Sequence, residues 1–181
     1  SASAGPPAVR FVLQVDARPL TLRLERVSIS KEGFRLRVQD ATGTLREIPA
    51  PPPETYRGTI DELPGESVGG TVHGGSLAAT IALADGRVFC VQPLSELEPD
   101  AESTLHVVYR ADLGVAEGAC PVHEASQPIA TDSGSQSQAD GSLRIADIAV
   151  DADFEYVGQN GGSTASTVND IESLLNSVNV V

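Results

Sequence analysis

Alternation of apolar and polar positions governs the first two-thirds of the chain. In "PLTLRLER" Leu20, Leu22 and Leu24 fall on one side and Thr21 and Arg23 on the other. "FRLRVQ" repeats the scheme, with Phe34, Leu36 and Val38 predicted inward and Arg35 and Arg37 outward. A period of two is the pattern of a strand with one wet face. "VRFVLQVD" (residues 9–16) alternates less regularly, and further short runs follow at residues 56–60, 68–74, 77–83, 87–92 and 104–110. Asp85-Gly86 between two of them is a hairpin signal, and "APPPE" interrupts the series because proline cannot donate to a ladder. Gly69-Gly70 and Gly74-Gly75 flank one run and read as bends or bulges rather than a phosphate cradle. The expectation is a mainly β fold, an antiparallel β-sandwich or a curled meander.

The pattern changes after residue 123. Residues 124–143 are dominated by Ser, Gln, Ala, Gly and Asp, with no aromatic residue and no cation, which is the composition of a flexible linker. "LRIADIAVDADF" (residues 143–154) then reads as a long strand. Val168, Ile171, Leu174, Leu175 and Val178 recur at helical spacing, with Ser166 or Thr167 placed to cap the helix. A strand followed by a helix opens an α/β unit, and the second strand that would cover the helix does not follow. The expected division is therefore a β-rich domain over 1–123, a linker over 124–143, and over 144–181 an incomplete α/β unit of one strand and one helix, the beginning of a truncated domain.

Composition sharpens this. Met and Trp are absent, so the core must come from Val, Leu, Ile and Ala. The formal net charge of −13 argues against nucleic-acid binding, which needs clustered Lys and Arg. The acidity is uneven: residues 129–181 hold eight acidic residues and one basic, Arg144. No apolar run is long enough for a transmembrane helix, and "SASAGPPAV" lacks the basic and apolar regions of a signal peptide.

Candidate chemistry is sparse. His123-Glu124 begins "HEASQ", but a zinc peptidase helix needs a second His where Gln127 stands. His73 and His106 lie in predicted strands, with no third ligand at recognisable spacing. Asp151, Asp153 and Glu155 alternate along the predicted last strand and read as a solvated face. Cys90, among apolar neighbours, reads as a buried inert thiol. Cys120 sits on a loop before Pro121, and three readings stay open for it: a thiol without a role, a bridge to Cys90, or a thiolate directed at a metal.

Several runs in order resemble the propeptide region of reprolysin-like (adamalysin, M12B-type) zinc metallopeptidases, in a bacterial-type version. "FVLQVDARPLTLRLER" is similar to the opening strands of such propeptides. "YRGTIDELPGESVGGTVHGGSLAATI" is similar to the family's Y-x-G-x-V…S-x-V-x-L-S-x-C-x-G-L-x-G-x-I stretch through Tyr56, Gly58, Ser67, Val68, Gly75, Leu77 and Ile81. "VFCVQPL", with Pro93, resembles Y-x-I-x-P-L; "HVVYR" resembles the H-x-x-Y-R/K run that follows; "LRIADIAVDADFEY" resembles the first strand of the catalytic domain. The resemblance implies a secreted zymogen whose propeptide keeps a zinc endopeptidase folded and latent, with the catalytic domain as partner in cis. It implies that Cys120 supplies a thiolate to the catalytic zinc, although "GACPV" has Pro121 where the family has Gly. Asp147 would match an acidic calcium-binding position. No catalytic residue and no zinc site are expected in the chain itself, which should hydrolyse nothing. The rival expectation is a stand-alone β-sandwich that binds or inhibits a partner, with no protease in cis.

Overall fold

The computed structural model describes residues 5–102, 104–111 and 147–180. Seven strands form one antiparallel sheet: β1 (Ala8–Val15), β2 (Arg18–Arg26), β5 (Thr55–Ile60), β6 (Leu63–His73), β7 (Ser76–Ala82), β8 (Val88–Pro93) and β9 (His106–Arg110), paired in that order. Between β2 and β5 the chain leaves the sheet to form a separate two-stranded ribbon, β3 (Leu36–Gln39) and β4 (Leu45–Ile48). The protein is mainly β, as its alternation predicts.

Local chemistry explains the hairpins. Gly74 and Gly75 form a two-residue turn between His73 and Ser76, with φ of 59° and 89°. That is the twist a tight hairpin demands and that glycine adopts without strain. Gly86 does the same beside Asp85, at φ 84°. In the β1–β2 turn Asp16 and Ala17 both take positive φ without being glycine.

One face of the sheet carries the core. Leu13, Val15, Leu20, Leu22, Leu24, Tyr56, Ile60, Val68, Leu77, Ile81, Phe89 and Val91 form a single buried cluster. One sheet can enclose it because it curls. Phe11 on β1 meets His106 on β9 edge-to-face, with ring centroids 6.2 Å apart, although these strands lie at opposite ends of the strand order. Arg87, beside β8, reaches Asp16 in the β1–β2 turn at 2.6 Å. The structure is thus the curled meander of the two predicted alternatives.

The ribbon departs from expectation. Leu36 and Val38 are only half-buried and Phe34 is 45% exposed, because β3 pairs with β4 alone and these residues are not part of the core cluster. Alternation announces a two-faced strand; it does not say which sheet the strand joins.

The C-terminal part departs further. Residues 147–153, the described part of the strand expected over 143–154, form no strand. Asp153 instead accepts a hydrogen bond from Tyr156 N and caps α1 (Phe154–Gln159), so Asp151, Asp153 and Glu155 do not share a strand face. Gly161 and Gly162 turn the chain with positive φ, and α2 (Thr164–Val178) follows. Its cap is Ser163, whose hydroxyl accepts from Ser166 N, rather than Ser166 or Thr167. The two helices belong to the same compact unit as the sheet.

Candidate functional site

The most developed polar arrangement among the described residues is where α2 meets the sheet. The predicted apolar stripe is only partly covered: Val168 is buried and Ile171 and Leu175 are half-buried, but Leu174 is 58% and Val178 75% exposed. The buried positions are Thr167, Val168, Glu172 and Asn176. The last three of these are spaced by four, so they share one helix face.

Asn176 is fully buried and uses both ends of its amide. Its Nδ2 donates to Tyr56 O at 3.0 Å and to Gly70 O at 3.1 Å. Its Oδ1 accepts from Arg57 Nε at 2.8 Å. Tyr56 and Gly70 are register partners on β5 and β6, so one side chain ties the helix to two neighbouring strands. A buried amide must have such partners, since an unmet polar group costs more than the bond gains. Four residues earlier, Glu172 accepts from Ser30 Oγ at 2.6 Å.

Gly69 makes the approach feasible. A Cβ there would lie 2.3 Å from Val180 Cγ2 and 3.4 Å from Asn176. Gly69 therefore serves close helix–strand contact, not a bend or bulge. Two adjacent glycines inside a strand were the signal in the sequence; their partner, a lone Asn in an amphipathic helix, carries no periodic mark. At the other end of α2, Tyr156 donates to Asp170 Oδ2 at 2.6 Å and joins α1 to α2. That hydrogen bond, with partial burial and the neighbouring negative charge, pushes the Tyr156 phenol up to about 12.

The residues singled out by the family resemblance have structural places. Tyr56 is fully buried in the core, its hydroxyl donating to Pro6 O at 2.8 Å, and burial pushes its phenol up. Gly58 lies where β2 passes so closely that a Cβ would sit 1.7 Å from Arg23 O. Gly75 is the hairpin turn, Leu77 is core, Pro93 is buried at the end of β8 opposite His106, and Ser67 is exposed on β6. Together they hold the sheet rather than form a catalytic site. Cys120, His123 and Gln127 lie outside the described residues.

The remaining candidates serve structure as well. His106 Nε2 lies 3.0 Å from Leu77 N, a donor, so this nitrogen accepts; Nδ1 then donates to Thr104 O at 2.9 Å. The ring thereby links β9 to β7 through Leu77 N. His73 pairs with Glu54 at 2.8 Å. Cys90 is a free, half-buried thiol rather than a fully buried one. It lies opposite Tyr109 on β9, whose phenol is pushed up by burial and then by this neighbour. Asp147 is exposed. No group of three His, Cys, Asp or Glu side chains able to hold a metal occurs among the described residues. No described helix is long and apolar enough to cross a membrane. No protein-family model matches this chain, and no curated protein matches it in sequence.

Proposed function

We propose that this chain is the holding part of a secreted zinc metalloendopeptidase zymogen: a β-rich propeptide that keeps a following segment docked and inactive. The observation that carries this reading is the buried polar dock of α2 on β5 and β6 through Asn176. It is a specific contact between the sheet and residues that, by resemblance, begin the catalytic part. A contact built on buried amide hydrogen bonds suits a holding role, because it specifies one position more sharply than apolar contact does. In this reading Cys120 supplies the inhibitory thiolate, and zinc belongs to a catalytic domain outside the chain. Asp147 would be a calcium position only together with ligands from outside the described residues.

Reading the gene past the codon for Val181 tests the proposal. A frame running on into H-E-x-x-H-x-x-G-x-x-H supports it, and Cys120→Ala in that longer product should then raise peptidase activity before any processing. A stop codon directly after Val181 defeats the proposal in cis. The alternative, a stand-alone binding or inhibitor module, is favoured by the sheet's own buried core cluster.

A further inference from the structure

The β3–β4 ribbon stands apart from the main sheet, its strands paired only with each other. Two strands alone are marginally stable in water, and a third strand is the usual remedy. One face of the ribbon bears Leu36, Val38 and Ile48 with Arg46 opposite Val38, and Phe34 precedes it; none of the apolar four is fully buried. Phe34 to Leu36 and Glu47 to Ala50 line an open depression of about 420 Å³. The other face bears Arg35 and Arg37, both exposed. Arg23, Arg46 and Arg87 are held by Asp61, Asp40, Asp16 and Asp85, whereas Arg35 and Arg37 form no ion pair with any described carboxylate. Glu47 faces Arg37 across the ribbon, on the β4 side.

The two edges are not equivalent. β4, Leu45 to Ile48, carries Glu47, whose charge would repel an acidic strand laid along its outer edge. β3, Leu36 to Gln39, holds Arg37 and directly follows Arg35. A strand added there would present alternate side chains to the two faces, apolar ones beside Leu36 and Val38 and charged ones beside Arg35 and Arg37. We propose that the outer edge of β3 is a strand-addition site for an extended segment of another protein in which acidic residues alternate with β-branched apolar ones. Charge complementarity selects the acidic partner, and alternation selects an extended one. The site does not depend on the propeptide proposal.

The test uses the whole chain and a fluorescein-labelled peptide, Val-Glu-Val-Asp-Val-Glu-Val, followed by anisotropy. Binding is expected to weaken about tenfold or more in the Arg35→Glu/Arg37→Glu variant. The variant should stay folded, because both side chains are exposed; its circular dichroism checks this. Binding should also be lost with a backbone N-methylated peptide, with the same residues in block order, and with Lys in place of the acidic residues. Equal binding of the block-order or N-methylated peptide would show simple charge attraction and overturn strand addition. Unchanged binding in the double variant, or none at about 1 mM peptide, would overturn the site.

Discussion

Asn176 shows how one residue can decide a tertiary contact. Its amide is the only group type that donates to two carbonyls and accepts from Arg57 at once. Asn176→Ala leaves these partners without their bonds in a buried place, at a cost of about 2 kcal/mol. Asn176→Asp keeps the pairing with Arg57 but sets a carboxylate against two carbonyl oxygens. Both variants should release α2, and a free helix of 15 residues is marginal in water. The expected outcome is loss of helical signal at 222 nm while β-sheet signal persists; intact helicity in both would count against the dock. Tyr156 sets a second residue-level expectation. Its phenol is raised in the folded state, so its contribution is fully present below the ordinary tyrosine pKa and is lost as pH rises from about 10 toward 12. Thermal melts over that range should fall more steeply for the native protein than for Tyr156→Phe.

At the scale of elements, strands were legible and their partners were not. The Leu20, Leu22, Leu24 alternation is a local property, and those three side chains are buried as it predicts. Residues 147–153 alternate as well, yet form no strand, because a strand exists only where another edge accepts its hydrogen bonds. The rotation of α2 on its axis was not legible for a related reason. Periodicity identifies the more apolar face, and here Val168 of that face is buried together with Glu172 and Asn176, while Leu174 and Val178 stay exposed. Gly58 marks the tightest strand crossing, and its role follows only from β2 lying beside β5. Gly58→Ala should cost about 3 kcal/mol or more in urea unfolding, because the clash is with the backbone of Arg23 rather than a movable side chain. A small effect there would mean that β2 and β5 are not so closely paired.

The whole molecule is acidic, and several of its surface carboxylates stabilise the fold in ionised form. Hydrogen bonds from Thr21 hold Glu62 below the usual carboxylate range, Arg23 does so for Asp61, the Arg87 amide for Asp85, and Thr42 for Asp40. For a lowered folded pKa the contribution is present above the ordinary value and is lost as pH falls from there through the lowered folded value. The melting temperature should therefore drop below about pH 4, and Glu62→Gln should make that drop shallower. Amino-acid order by itself determined the strand-rich character, the hairpin turns at Gly74-Gly75 and Asp85-Gly86, and an amphipathic C-terminal helix, because propensity, turn chemistry and periodicity act over a few residues. Only the tertiary structure decided that one sheet curls until β1 meets β9, that β3 and β4 stand aside as a ribbon, and that α2 docks through Glu172 and Asn176 beside Val168. Each of these depends on which distant backbone groups and surfaces come within reach, and short-range pattern carries no record of that.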